Sequence, residues 1–285
     1  MTKTKGYIAL TKPRLSFLVV VSAISGFLLA GWDQGATYKD FIFMILGGFF
    51  ITGASNGLNQ VIEKDIDQKM DRTLSRPLPQ GVLTTKEALV ACLTYTFLGV
   101  AMLYMVNLTC LVLGFGSLLV YVFMYTPLKQ KTPWATFVGA IPGAMPPLLG
   151  WVAATNDFGL ESGILYFVQF MWQFPHFWAI AWVLYDDYNK AGISLLPTKL
   201  KDKSSAFLIL LYSGLMIPSS LLPWVFPYSN PIISDVAAVI VIIAGLLFCV
   251  PAYKLYKSLE VADAKKVMFA SFIYLPVVQF AYLIK

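Results

Sequence analysis

Long apolar runs broken by short polar segments dominate this chain. Apolar windows fall at about residues 15–32, 41–62, 87–106, 108–126, 134–154, 162–183, 205–226, 233–253 and 267–284. Each is close to the ~20 residues that a helix needs to cross a bilayer. Most show no clean polar face, as expected for helices that pack on one side and meet lipid on the other. The pattern therefore predicts an all-α polytopic membrane protein with nine transmembrane helices around a central cavity. The third and fourth windows meet at Asn107, which predicts a tight hairpin. With connections this short, residues 1–285 are expected to form one membrane domain.

Charge tests the parity of this count. If the N-terminus is cytoplasmic, 19 of the 21 Lys and Arg residues fall in the N-terminal segment and in the connections after spans 2, 4, 6 and 8. Only Lys39 and Lys285 fall on the other side. That asymmetry fits the positive-inside rule and a cytoplasmic N-terminus. The formal charge of +6 is thus a topology signal, and nucleic acid is not an expected partner. Composition agrees, with 58% hydrophobic and 13% charged residues, where soluble domains carry about 25% charged. Lys3, Lys5, Lys12 and Arg14 lead into the first window without an evident small-residue cleavage site, so no cleaved signal peptide is expected. The absence of an Arg- and Ser-rich transit segment favours a bacterial chain. Cys92, Cys110 and Cys249 lie far apart within apolar runs and read as small packing residues.

Two acidic groups stand out against the basic connections. The first follows span 2 in NGLNQVIEKDIDQKMDRTLSRP, with Asn59, Glu63, Asp67 and Asp71 at intervals of four. On a helix these residues stack along one face, with Asn56 just upstream. Polar residues at that depth are costly unless they face a cavity or a partner. Carboxylates and an amide oxygen suit a hard cation such as magnesium, which keeps waters and shares the phosphates of its ligand. Arg72 and Arg76 follow at once and can grip phosphate oxygens. Asp65 reads as a solvated helix charge that pairs with Lys69.

The second group, Asp186 and Asp187, follows span 6. Gln169, Gln173, His176 and Asp187 lie at steps of four, three and eleven. This spacing predicts one polar stripe that turns the only histidine and Asp187 to the same side. Pro175 is expected to kink the span. Lys129 and Lys131 lie between spans 4 and 5, where Lys129 can meet a diphosphate. Lys12 and Arg14 allow the same reading or a purely topological one. Gly139 and Gly143, with three prolines, predict a distorted span and close helix approach.

Several elements together resemble the UbiA-type intramembrane prenyltransferases. They are TKPRLS at 11–16, the ladder at 59–77, YTPLKQKTP at 125–133, GAIPGAMPPLLGW at 139–151, QFPHFWAIA at 173–181, DDYNKAGISLLP at 186–197 and SFIYLP at 271–276. The FPHFW and DDYNKAG elements are similar to those of the haem O synthase branch. Glu63 departs from that pattern, standing where many relatives carry Asp. The resemblance implies farnesyl transfer from farnesyl diphosphate to a vinyl group of haem B, with Mg2+ as cofactor. It implies a metal set of Asn59, Glu63, Asp67, Asp186 and Asp187, and a diphosphate set of Arg72, Arg76 and Lys129. It further implies catalytic roles for Asn59, Glu63, Asp67, His176 and Asp187, with His176 orienting the haem or managing a proton. The bacterial inner membrane is the implied location, with the acidic motifs cytoplasmic and a downstream haem A synthase as partner. Two alternatives stand beside this reading. One is the same chemistry on an aromatic quinone precursor, and the other is an ion-coupled transporter.

Overall fold

A computed structural model describes residues 1–33, 35–226 and 232–284. Lys285, one of the two cations on the far side in the charge count, lies outside the described residues. Among the described residues the structure is entirely helical: α1 (Lys3–Leu10), α2 (Pro13–Ala30), α3 (Tyr38–Ile62), α4 (Lys64–Asp67), α5 (Thr85–Val106), α6 (Leu108–Leu119), a π-helical turn (Val120–Tyr125), α7 (Thr126–Leu128), α8 (Ala135–Thr155), α9 (Leu160–Val183), α10 (Tyr185–Lys190), α11 (Lys203–Ser220), α12 (Leu222–Val225), α13 (Asp235–Ser258) and α14 (Val261–Ala281).

Among the described residues, seven helical segments are long and apolar enough to cross a membrane. The helices α9 and α14 are as long, with 24 and 21 residues, but fall outside that set. Chain termini of the helices carry the expected chemistry. Thr37 with Asp40, and Thr84 with Glu87, form capping boxes at the starts of α3 and α5. Asn107 ends α5 and caps α6 through Cys110 N at 2.7 Å, so the hairpin is present as expected.

Long helices pack along one another in pairs, α3 on α5, α2 on α8, α8 on α9 and α13 on α14. The first half of the bundle buries Phe27, Met44, Ile51, Leu103 and Val152. The second buries Phe174, Trp182, Ile209, Met216 and Phe248. Their outer faces stay apolar, with Phe97 72% and Ile273 65% exposed, the surface that suits lipid rather than water. The crossing of α2 and α8 is so close that a Cβ on Gly26 would strike the Pro147 carbonyl, and one on Gly150 the Ala23 carbonyl. Glycine at both crossing points lets the backbones touch. Pro175 does not break α9, which runs continuously through it.

Candidate functional site

The polar ends of α2, α3, α7 and α9 converge at one end of the bundle. The acidic ladder is not one continuous helix. At Glu63 the backbone leaves α-geometry (φ −96°, ψ 10°), α4 restarts for one turn, and Asp71 falls in the following connection. The break keeps Glu63 and Asp67 inside, 1% and 0% exposed, while the Asp71 side chain is 78% exposed. Asp65 is exposed, as expected for a solvated helix charge.

Each buried carboxylate is held by one cation and leaves one oxygen free. Glu63 Oε2 accepts from Lys129 Nζ at 2.7 Å, and Asp67 Oδ2 accepts from Arg76 at 2.6 Å. Glu63 Oε1 and Asp67 Oδ1 are buried without a donor among the described residues. A buried anionic oxygen with no partner is costly and is the kind of position a cation fills. Asn59 Nδ2 donates to Thr126 Oγ1 at 3.2 Å, which turns its amide toward the same region. Among the described residues no three His, Cys, Asp or Glu side chains form a ready-made cage. That suits magnesium, which takes one or two carboxylates and completes its shell with water and phosphate. Burial pushes the Lys129 ammonium below its ordinary range, and Glu63 opposes that shift.

The second acidic group closes over the first. Asp187 accepts from the backbone N–H of Asp71 at 2.8 Å and of Arg72 at 3.3 Å. Lys190 bonds Asp71 and lies 3.5 Å from Asp187. Burial acts to raise the Asp187 carboxyl, but these amides and Lys190 outweigh it and hold it below the usual carboxylate range. Asp186 is not brought in; its side chain is 86% exposed and lies 3.6 Å from Lys201. The Arg72 guanidinium lies 5.7 Å from the ring centroid of Tyr188. Lys12 occupies the turn between α1 and α2 in a left-handed conformation, φ 45°, with Arg76, Lys129, Arg72 and Glu63 as its charged neighbours. Arg14 and Lys131 are exposed. Gln60 escapes the ladder spacing, yet it is buried and its Nε2 donates to Leu10 O at 2.9 Å, bracing the Lys12 turn. Its place in the polar run Asn56, Asn59, Gln60 inside an apolar window is the signal that marks it.

The stripe on α9 divides rather than facing one side. Gln173 donates to Ala140 O of α8 at 2.9 Å. Gln169 bonds Gly143 O and accepts from Gln279 of α14. His176 turns to α14, with Nδ1 2.8 Å from Ser271 Oγ and its ring stacked 4.4 Å from Trp172. Neighbouring helices thus supply partners for Gln169, Gln173 and the Nδ1 edge of His176. Ser271 Oγ donates to Met268 O at 2.6 Å, which leaves it free to accept from Nδ1 in the Nδ1–H tautomer of His176. In that tautomer His176 Nε2 is the acceptor nitrogen of the ring.

The model of the UbiA prenyltransferase family matches residues 19–275. The chain belongs to the UbiA prenyltransferase family. Protoheme IX farnesyltransferase of Cytophaga hutchinsonii is 42% identical over 282 residues, 98% of this chain and 97% of that one. The protein of the same name from Flavobacterium psychrophilum is 43% identical over 277 residues, 96% and 92% of the two chains. The fold is that of solved UbiA members. A digeranylgeranylglyceryl phosphate synthase structure matches with TM-score 0.80 at 21% identity, over 99% of this chain and 98% of that one. A UbiA homologue from Archaeoglobus fulgidus, bound to GPP and Mg2+, matches with TM-score 0.70 at 15% identity, over 98% and 99% of the chains. This UbiA protein is thus a multi-pass membrane prenyltransferase, and the charge cluster lies at the polar end of its bundle.

Proposed function

We propose that this enzyme transfers a farnesyl group from farnesyl diphosphate to a vinyl group of haem B, giving haem O. The observation that carries the choice of acceptor is the 42–43% identity, over nearly the whole chain, with proteins named protoheme IX farnesyltransferase. The fold alone supports only the family, which also contains enzymes with other acceptors.

Glu63 Oε1, Asp67 Oδ1 and the Asn59 amide are the groups that would hold Mg2+, with Asp187 on the facing side. Bound there with the diphosphate, the ion supplies charge neutralisation on the leaving oxygens. Arg76, Lys129 and Arg72 carry the rest of that task. Their present partners are carboxylates and an aromatic ring, and an incoming diphosphate offers stronger, multiply charged acceptors in the same place. Positive groups fixed where charge develops lower the barrier to C–O cleavage without reorganising solvent. His176 is assigned to the acceptor side, where its ring can orient the haem or take the proton released when water captures the product cation. Product haem O would pass to a haem A synthase.

Nine membrane crossings with a cytoplasmic N-terminus belong to the same proposal, as does a single domain in a bacterial cytoplasmic membrane. Support comes from the pairing of helix ends. Glu63 at the end of α3 meets Lys129 after α7, and Asp187 after α9 meets Asp71. At the opposite end Tyr282, after α14, donates to Ser220 O of α11. This alternation is consistent with α9 and α14 crossing beside the other seven long segments.

The test is reconstitution in liposomes with haem B, farnesyl diphosphate and Mg2+. Haem O is expected to form, to vanish on chelation by EDTA and to return when Mg2+ is restored. Formation that is indifferent to EDTA would overturn the metal assignment. Farnesylation of an aromatic quinone precursor in place of haem would overturn the acceptor.

A further inference from the structure

Where α1 meets α2 the surface carries a groove of about 510 Å³, whose lining includes Lys5, Ile8, Lys12, Arg14 and Leu15. Three of these are cations, and no carboxylate lines the groove. Other cations of this region are paired, Lys3 with Glu87, Arg76 with Asp67 and Lys129 with Glu63. The side chains of Lys5, Lys12 and Arg14 make no ion pair among the described residues. A cleft lined by one sign of charge concentrates ligands of the other sign. Its apolar wall continues into the outer face of the bundle. Ile8 is 55% and Leu15 47% exposed, and Phe17 and Leu18 extend that surface along α2. Cations beside an exposed apolar wall suit an amphiphile with an anionic edge and a flat apolar body.

The turn that forms the groove is held from several sides. Lys12 takes a left-handed conformation there, unfavourable for a residue with a Cβ. Gln60 Nε2 fixes Leu10 O, and Ser16 Oγ donates to Thr11 O at 2.6 Å. On α1, a Cβ added to Gly6 would lie 3.2 Å from both the Leu83 and Val82 side chains, so that helix sits close against the segment before α5. Strained backbone persists where its surroundings hold it, and such positions gather at ligand clamps. Because Gln60 belongs to α3, the groove is fixed to the helix that leads to Glu63. Lys12 lines the groove and has Arg76, Lys129, Arg72 and Glu63 as charged neighbours. It is the residue that groove and charge cluster share.

We propose that this groove binds the two propionate carboxylates of the haem acceptor, with Lys5 and Arg14 as their partners and Lys12 at the seam between acceptor and diphosphate. This rests on the haem reading above. Haem B is a flat apolar ring whose propionates lie on the edge away from its vinyl groups. An acceptor held by its propionates outside the cluster turns its vinyl edge inward, toward the allylic carbon. The two substrates then use separate cations. The diphosphate takes Arg72, Arg76 and Lys129, and the propionates take Lys5 and Arg14. A phospholipid would bring one phosphate to the same groove, with no reacting edge to present to the neighbouring cluster.

The test compares haem B with its dimethyl ester, in which both propionates are neutral, as acceptors for the full chain in phosphatidylcholine liposomes. For the native chain, esterification is expected to raise KM for the acceptor by about 10-fold, with KM for farnesyl diphosphate unchanged. Lys5→Gln combined with Arg14→Gln is expected to raise KM for haem B by a similar factor. That variant is expected to lose little more with the ester, because the interactions are already absent. Any difference in how the ester partitions into lipid is common to both proteins and cancels. An ester used by the native chain as well as haem B, or an equal loss for the variant on both acceptors, overturns the inference while farnesyl transfer to haem stands. A variant defect seen only after phosphatidylglycerol is added marks the groove as a phospholipid site and overturns it too. A native chain that forms no haem O overturns the reading beneath it.

Discussion

Glu63 and Asp67 are tolerated inside this protein because each is paired with a cation, and each keeps one buried oxygen without a donor among the described residues. The Lys129–Glu63 pair is well shielded, with side chains 14% and 2% exposed. Removing one member of such a pair strands the other, at a cost of about 3–5 kcal/mol, whereas replacing both by neutral groups of similar size is nearly neutral. Lys129→Ala is therefore expected to lower the unfolding temperature in detergent sharply. Glu63→Gln combined with Lys129→Met is expected to restore the temperature but not product formation. Restored activity in the double variant would show that the pair is only structural. His176 makes a separate prediction. His176→Phe keeps a flat ring beside Trp172 but deletes Nε2, so the rate of product formation is expected to fall by about 100-fold with farnesyl diphosphate affinity unchanged. Isothermal titration with the diphosphate and product analysis on the same preparation separate the two.

Among the elements, the clasp between the two acidic groups and the crossing of α2 with α8 carry the most specific consequences. Asp187 holds the connection after α4 through the Asp71 and Arg72 amides. A carboxyl held below its ordinary range stabilises above that range, near pH 4, and its contribution fades as pH falls through the lowered value. Proteolysis within residues 68–84 is thus expected to stay slow down to about pH 4 and quicken only below it. Asp187→Asn is expected to open the segment at neutral pH, and cleavage unaffected by that change would discount the clasp. At the helix crossing, Gly150→Ala has no room beside the Ala23 carbonyl and is expected to destabilise the bundle by about 1–3 kcal/mol, read as a loss of thermal stability. The helices themselves, the Asn107 hairpin and the ladder residues Asn59, Glu63 and Asp67 are legible in the sequence, because hydropathy and four-residue spacing report burial and face directly. Spacing cannot report a helix break, so Asp71 drops from the ladder at the Glu63 turn and meets Lys190 instead. Nor can it tell Asp186 from Asp187, since adjacent residues differ only in direction. The α9 stripe is real, but its partners on α8 and α14 come from distant sequence and consume Gln169 and Gln173.

For the molecule as a whole, the charge cluster gathers at one end of an apolar bundle, next to the basic connections. With the basic connections cytoplasmic, as proposed above, the site would open toward a cytoplasmic supply of farnesyl diphosphate while haem enters from the bilayer. Impermeant thiol labelling of single-cysteine variants in a Cys-free chain is expected to reach residues 156–159 from outside the cell and residues 199–202 only after lysis. The reverse pattern would invert the topology. The most direct test of the central claim is mass analysis of haem extracted from a host that lacks its own haem O activity and expresses this chain. Haem carrying an added hydroxyethylfarnesyl group is expected with the native chain and absent with Asp67→Asn. Unmodified haem B alone, from membranes that contain the folded native protein, would contradict the account.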